Sequence, residues 1–473
     1  MGASRRDERD GVGRLLEHLH RQLAALGDVQ RYWLAYSGGL DSSVLLAVLA
    51  ELRRQAPDLP GIGRLAAVHV DHDLHPASGT WAEHCAARCA ELAIPLMIDW
   101  PDLPPTRGTS IESWARAARR AIFGRLLMPG EVLLLAQHGD DQAETLLLAL
   151  LRGSGPAGLA AMPALAPLGA GRLFRPFLDL DRALLVAYAQ HYGLFWIDDP
   201  SNAETRFDRN YLRHQILPHL RARWPATVQN LVRSARLCAE AAELSERLAA
   251  QTLEEVRGAL PGTLSIAHLM SLDPSLAKAV IRLWLSEQGF QPPDAQRLKR
   301  LLTEFIPARA DAYPLIQWSG CEIRRYRDLL LALPPFPPLP SETTLLWLLG
   351  ERSVHLELPA GLGRLVWEPL KRWRDVPILT QVRFGQWGRP CRARPGGARR
   401  DVKKLFQEAG IPAWLRPRWP MLFCNGRLIA IAGITACHPD GIRDTPAGSL
   451  TWQGCPWQQL WPGLTYPLSI NLD

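Results

Sequence analysis

The sequence predicts an α/β protein: a parallel-sheet domain, then an α-helical domain, then a small α+β C-terminal domain. Three observations carry that reading. From about residue 30, apolar runs alternate with helical stretches, the pattern of βαβ units and of a parallel sheet covered on both faces. Around Trp224-Pro225 the character changes: residues 227–257 read as a long Ala- and Leu-rich helix, and residues 264–305 continue as helices. Beyond Leu333-Pro334-Pro335-Phe336-Pro337-Pro338-Leu339-Pro340, a stiff linker of polyproline type, short alternating runs at 354–358 and 428–432 predict strands. The division that follows is 1–224, 225–333, a linker at 334–343, 344–450, and a tail at 451–473 with no evident role.

Within the first domain, residues up to about 30 form a polar arm and a helix, with Leu15, Leu16, Leu19 and Leu23 near helical spacing. Strands are predicted at 32–36, 65–70, 94–98 and 132–136. Thr109-Ser110-Ile111-Glu112 reads as a capping box opening a helix to about Leu127, with Arg116, Arg119 and Arg120 on one face. A helix at 141–151 is stopped by the glycine-rich stretch 152–158, read as a mobile loop, and another helix covers 180–192. Parallel sheets bind ligands at the carboxyl ends of their strands. The polar residues gather there: Ser37 onward, Asp71-His72-Asp73, and His138-Gly139-Asp140-Asp141.

The formal charge, 54 − 47 = +7, leans toward a polyanionic partner. The N-terminus is charged with no apolar core behind it, so no signal peptide is expected, and no apolar run approaches membrane-spanning length. Eight scattered cysteines without a C-x-x-C pair indicate neither a disulfide framework nor a zinc ribbon. The cytoplasm is the expected compartment.

The stretch Ser37-Gly38-Gly39-Leu40-Asp41-Ser42-Ser43 joins the first strand to a helix. Two glycines let backbone N–H groups converge, three serines add hydroxyls, and the helix N-terminus adds partial positive charge. Such a nest suits an anion the size of pyrophosphate. It is neither a Walker loop nor a dinucleotide fingerprint. The heptad resembles the PP-loop of the ATP pyrophosphatase superfamily, which implies an adenine-nucleotide-hydrolase-like fold, ATP as substrate and cleavage to AMP and pyrophosphate. A plain serine-glycine turn is the alternative.

Asp41 lies beside that anion, where a carboxylate calls for a bridging Mg²⁺; capping the following helix is its other reading. His69 and His72, three apart, lack a third ligand at a recognised zinc spacing, so a structural or nucleotide-contacting role is expected. Cys85 and Cys89 read as buried thiols on a helix face. Asp141 and Glu144 share one face of a first helical turn, suited to grip an ammonium group or draw a proton from an amine, or else to cap the helix.

In order along the chain stand SGGLDSS, HVDHDLHP, IESWARAAR, AQHGDDQAETLLL with LRGSG, WIDDPSN and FDRNYLRHQILP, then VRFGQWGRP and KKLFQEAGIPAWLRPRWPMLF. Together these resemble the tRNA(Ile)-lysidine synthetase family from about residue 30 to 435. The resemblance implies a ligase that uses ATP to adenylate the carbonyl oxygen at carbon 2 of the wobble cytidine in the CAU anticodon of an isoleucine tRNA. Free lysine then displaces AMP to give lysidine. It implies Asp41, Asp141 and Glu144 as catalytic residues, with Asp141 and Glu144 holding lysine. ATP would meet Ser37, Gly38, Gly39, Leu40, Asp41, Ser42, Ser43, Arg116 and Arg209. Arg213 would contact tRNA, although these arginines also fit surface ion pairs. Two departures stand out: Gln137-His138 replaces a common His-His pair, and Asp71 and Asp73 replace a common Asn and Gly. Asp73 would sit in a tight turn.

Arg392, Arg394, Arg399, Arg400, Lys403 and Lys404, followed by Trp414, Arg416, Arg418 and Trp419, form a basic and aromatic stretch. Of these Arg399, Arg400, Lys403, Lys404, Trp414 and Arg416 are the expected tRNA contacts, with a solvated loop and core tryptophans as the alternative. A sulfur-inserting PP-loop enzyme would want paired cysteines, an amide-forming ligase would not need this domain, and a non-catalytic RNA-binding protein would not need the intact motifs. The sequence does not fix oligomeric state; a homodimer is compatible with it.

Overall fold

The computed structural model describes residues 2–73, 78–102, 104, 111–309, 313–339, 343–350, 352–370, 377–386, 388–439, 446–457 and 468–470, with backbone alone for 2–12 and for Glu112. The chain forms two compact units, Met1–Leu244 and Ser245–Asp473.

In the first unit α1 (Gly2–Ala24) precedes β1 (Arg31–Ala35) and α2 (Leu40–Gln55). Next come β2 (Ala66–Val70), α3 (Ser78–Glu91), β3 (Leu96–Asp99), α4 (Ile111–Leu126), β4 (Glu131–Leu134) and α5 (Gly139–Leu151). All four predicted strands are present. Thr109 and Ser110 of the expected capping box lie outside the described residues. Two further strands, β5 (Leu165–Leu168) and β6 (Gly171–Phe174), complete a sheet of order β3-β2-β1-β4-β6-β5. Every pairing is parallel except the β5–β6 hairpin. Within the stretch expected as a loop, Pro156–Leu159 forms a short helix.

Both faces of the sheet are covered, as the apolar strands require. Tyr32 and Leu34 point into a core with Leu19, Val44, Leu45 and Leu185, while Trp33 between them joins Val68, Phe123, Leu133 and Leu173 on the other face. The strand order reverses between β1 and β4, so the loops leaving these two strands open on one crevice, the place where such sheets hold ligands.

The second unit adds to the expected helices a four-stranded antiparallel sheet of Leu264–Ser265, Leu329–Leu333, Cys321–Tyr326 and Leu315–Trp318. Helices Ile266–Ser271, Pro274–Glu287 and Ala295–Arg300 pack on it through Ile281, Trp284 and Leu298. The C-terminal part holds a five-stranded and a four-stranded antiparallel sheet, with the helix Val402–Glu408. The expected boundary at 450 falls inside the strand Gly448–Gln453, which pairs with Arg364–Pro369. Trp452, Trp457 and Ile470 are core residues, so the described part of the presumed tail completes the domain; Trp461 lies outside the described residues. A disulfide joins Cys391 and Cys437, Cα atoms 5.2 Å apart, a pair whose 46-residue separation carries no sequence signal and which the scattered cysteines had not suggested.

Candidate nucleotide and carboxylate site

The turn from β1 to α2 is built as its residues require. Gly38 has φ +82°, and a Cβ there would stand 2.6 Å from Ile197 Cδ1 and 3.0 Å from Cys85 Sγ, so only glycine fits. The Ile197 N–H donates to the Gly38 carbonyl at 2.9 Å, which makes the WIDD segment the brace of the loop. Ser42 Oγ donates to the Gly39 carbonyl at 3.0 Å and lies 3.1 Å from Ser37 Oγ; Ser43 Oγ donates to the Gly38 carbonyl. The first intrahelical bond, Ser43 N–H to Gly39 carbonyl, leaves the N–H groups of Leu40, Asp41 and Ser42 in the unpaired first turn of α2. The alternative of a plain turn is thus a turn already shaped as an anion nest.

Asp41 opens the helix and faces α5. Its Oδ2 is 3.6 Å from His138 Nε2 and its Oδ1 3.6 Å from Arg182 Nε, yet Oδ1 is buried with no hydrogen-bond partner. His138, 1 % exposed, also approaches Asp141 at 3.4 Å and Asp140 at 3.9 Å. Burial opposes its charge, but the contact with Asp41 and the carboxylates of Asp141, Asp41 and Asp140 prevail and raise its pKa. Asp141 is the mirror case. Burial opposes ionisation there too, and His138, Arg209, Arg213 and the His138 N–H outweigh it and lower the pKa.

Asp141 does serve α5 as a cap, accepting the His138 N–H at 3.1 Å. Glu144 does not: it is fully buried and held by two arginines. Arg209 donates from Nε to Glu144 at 2.7 Å and from Nη2 to Asp141 at 3.0 Å. Arg213 donates from Nε to Glu144 at 2.7 Å and from Nη2 to Asp141 at 2.9 Å. Expected as an ATP contact and a tRNA contact, the two arginines both use the Nε–Nη2 edge of the guanidinium group to hold the carboxylate pair. Asp140 accepts the Arg182 N–H and is paired with Arg221. Gln142 anchors the loop after α5, its side-chain amide bonded both ways to Met162 at 2.9 Å.

The departing residues have local work. Gln137 accepts from Arg175 Nε, and burial together with the charges of Arg116 and Arg120 presses Arg175 down to about 10. Arg116 is exposed near this group. His69 ties to the Tyr36 carbonyl at 2.9 Å, a structural role. Asp73 adopts φ +49°, the turn conformation expected of it. Cys85 and Cys89 are buried, as expected.

Family models match three parts of the chain: a PP-loop domain at 15–220, a TilS substrate binding domain at 264–331 and a TilS substrate C-terminal domain at 380–452. The tRNA(Ile)-lysidine synthase of Methylococcus capsulatus is 42 % identical over 87 % of this chain and 93 % of its own length. That of Pectobacterium atrosepticum is 40 % identical over 93 % and 98 %, and that of Coxiella burnetii 38 % over 89 % and 93 %. The chain belongs to the tRNA(Ile)-lysidine synthase family. Membership makes it an ATP-dependent ligase that forms lysidine in tRNA.

For a tRNA(Ile)-lysidine synthase, the C-terminal residues expected to meet tRNA fall into two groups. Arg399, Lys403 and Lys404 are exposed, the lysines on the first turn of the helix capped by Asp401; Arg400 is paired with Glu408. Arg416 is a correction: it is 8 % exposed and donates twice to the Ile411 carbonyl, at 3.0 and 3.1 Å, so it holds the chain rather than a phosphate. Trp419 is fully buried, its indole bonded to the Ala432 carbonyl, and Trp414 is half-buried. Sequence reasoning missed His138 as the hub of the carboxylates, along with Arg182, Arg221 and Ile197. His138 had a signal in its place beside the double aspartate and Ile197 in the WIDDPSN motif; Arg182 and Arg221 had none. Among the described residues no helix is long and apolar enough to cross a membrane.

Proposed function

We propose that this chain attaches free L-lysine to carbon 2 of the wobble cytidine in the CAU anticodon of an isoleucine tRNA, in the cytoplasm. ATP adenylates the carbonyl oxygen at that carbon and releases pyrophosphate; the lysine side-chain amine then forms the C–N bond as AMP leaves. The observation that carries the reading is one buried carboxylate pair, fixed by two arginines and linked through His138 to Asp41 of the nucleotide turn.

The N–H groups of Leu40 and Ser42 and the hydroxyls of Ser37, Ser42 and Ser43 would cradle phosphate, with Gly38 and Gly39 allowing the backbone to approach. Asp41 fits Mg²⁺: its Oδ1 is buried without a hydrogen-bond partner, and Mg²⁺ commonly needs only one or two protein carboxylates beside phosphate and water. The ion, when bound, would neutralise charge on the leaving pyrophosphate. Exposed Arg116 is the cation for a phosphate oxygen, and Arg209 retains that role only alongside its carboxylate bonds. Asp141 and Glu144 would receive the lysine ammonium, and a carboxylate placed there can take its proton.

The test mixes the protein, ATP, Mg²⁺ and labelled lysine with unmodified isoleucine tRNA bearing CAU, with methionine tRNA as control. Label confined to the isoleucine tRNA is the expected result. tRNA-dependent pyrophosphate release without label would overturn lysine as the second substrate.

A further inference from the structure

Cys391 and Cys437 form the one disulfide of the chain, and the other six cysteines are free thiols. A small protein built for an oxidising compartment relies on a framework of such bonds. A single bond among free thiols, in a chain expected in the cytoplasm, belongs to the kind that opens and closes. Burial keeps the other thiols out of this chemistry. It pushes Cys85, Cys321 and Cys455 up to about 12 and Cys89 up to about 11, so little thiolate forms.

The bond closes the base of a basic hairpin. Pro390–Cys391 pairs with Arg400–Asp401 in a ladder of two residues a side, Cys391 opposite Arg400. The loop 392–399 runs between them, with Arg394, Pro395, Gly396 and Arg399 exposed. So short a ladder does not hold such a loop unaided, since even a full isolated hairpin is marginal in water. Cys437 belongs to the five-stranded sheet: it follows Thr435–Ala436, and its N–H donates to the carbonyl of fully buried Ile429 at 2.8 Å. Next to it, the His438 N–H donates to the Arg392 carbonyl at 2.8 Å. The disulfide therefore fastens the hairpin to the core. Asp401 ends the hairpin and caps the helix Val402–Glu408, accepting the Lys403 N–H at 2.9 Å. Arg399, Lys403 and Lys404 are thus all placed from this one base. Both sulfurs are buried, so exchange needs the hairpin to open. A two-residue ladder between exposed Pro390 and an exposed loop opens locally while the sheet stays folded.

We propose that Cys391 and Cys437 are a reversible thiol–disulfide site whose closed form fixes the basic hairpin for tRNA and whose open form releases it. The inference rests on the reading that the C-terminal cations meet tRNA. The oxidant is a low-molecular-weight disulfide of the glutathione type. The Cys391 thiolate attacks one of its sulfurs and expels a thiolate, leaving a mixed disulfide. The Cys437 thiolate then attacks the Cys391 sulfur and expels the second. Two protein thiols are oxidised, one external disulfide is reduced, and the two protons end on the released thiols. Excess external thiol runs the exchange backward.

The full chain is prepared closed with glutathione disulfide and open with dithiothreitol. Alkylation under denaturing conditions tells the forms apart: six groups are taken up by the closed chain, eight by the open one. The open form should bind isoleucine tRNA about 5- to 20-fold more weakly, the lower part of the range for coupling between two sites. Trypsin, cutting after Arg392 and Arg399, should cleave the open hairpin about 10-fold faster or more, as a locally released segment does. Saturating tRNA should shift the glutathione balance toward the disulfide by the same factor as the affinities differ. Cys391→Ser and Cys437→Ser should bind like the open form and ignore the redox state. Equal affinity of the two forms overturns the proposal, as does a bond that stays closed at every glutathione ratio. A redox effect that survives in Cys391→Ser belongs to another cysteine and overturns it too. Should the serine variants misfold, the two forms of wild type decide. Binding of tRNA by neither form would sink the tRNA reading, and faster cleavage of the open hairpin would leave the thiol–disulfide site standing.

Discussion

Two sets of arginines, one in each unit, are compensated in opposite ways. In the first, Arg209 and Arg213 commit their Nε–Nη2 edges to Asp141 and Glu144, two-point bonds at 2.7–3.0 Å around a fully buried carboxylate. In the second, Arg418 lies on the Phe336 ring and Arg383 lies 5.2 Å from the Phe423 ring centre, while Arg324 combines the Trp414 and Phe336 rings with a two-point bond to Glu322. A carboxylate cancels the charge of its arginine, whereas a ring quadrupole attracts the cation and leaves the charge in place. In the proposed function, the first arrangement would fix anions for chemistry and the second would keep cations available for a polyanion.

The largest effect should come from breaking the first arrangement. Glu144→Gln keeps the shape and removes the charge, and lysine incorporation should fall about 10²- to 10⁴-fold, the worth of a positioned acid–base group. It also leaves two arginines sharing one carboxylate, so melting should drop by an amount on the order of 3–5 kcal/mol. Initial rates and thermal melting check both. Activity within a few-fold of wild type would remove Glu144 from the reaction.

The next test compares the two kinds of arginine directly. Arg213→Lys retains charge but loses the fork, and should cost about 1.5–3 kcal/mol of stability, as lost bonds to a charged group do. Arg383→Lys in the second unit should cost less, about 0.5–1 kcal/mol, because a ring accepts an ammonium nearly as well. Denaturant midpoints measured on the two variants decide. Equal losses would mean that the arginines are held alike and the contrast is empty.

The sequence made one half of this comparison far more legible than the other. The heptad at Ser37, the double aspartate and Glu144 are local patterns, with strand, turn and helix written in adjacent residues, so the fold of the first unit and its principal carboxylates were readable. The partners of those carboxylates were not. Arg209, Arg213 and Arg221 sit 65 to 81 residues from the acids they bind, and nothing local distinguishes such an arginine from one that meets solvent. β5 and β6 escaped notice because a four-residue strand interrupted by Pro167 has no periodicity to see. In the second unit, composition suggested RNA contact but could not sort the tryptophans. Trp419, Trp452 and Trp457 fill the core, whereas Trp414 is half-buried and stacks on Phe336.

His72 offers a smaller measurement on an arginine's charge. Burial first, and the charge of Arg119 second, push its pKa down to about 4, so folded His72 stays neutral where an unfolded histidine protonates. The unfolded chain binds the extra proton between about pH 6.5 and 4; stability is therefore full above that window and falls as the pH drops through it. At a half-buried site, screening reduces the loss to about 1 kcal/mol. Denaturation midpoints at pH 7 and pH 5 should differ more in wild type than in His72→Gln. An identical difference in both would show that Arg119 and burial do not act on this ring.

The smallest effect belongs to the exposed cations of the C-terminal domain. Lys403 and Lys404 stand on the first turn of a helix, where they gain nothing from the dipole, and they are the proposed contacts to the tRNA anion. Each phosphate contact removed should lower the slope of log affinity against log salt by about 0.7–0.9. Lys403→Gln combined with Lys404→Gln should therefore flatten the dependence by between one and two while weakening binding only a few-fold at moderate salt. Arg400→Gln, whose charge is already met by Glu408, should leave the slope unchanged. Titrations of tRNA at several salt concentrations separate these variants. A slope that Arg400→Gln lowers as much as the lysine pair does would mean that compensation by a carboxylate does not withdraw an arginine from RNA, and the contrast between the two units would fail at its premise.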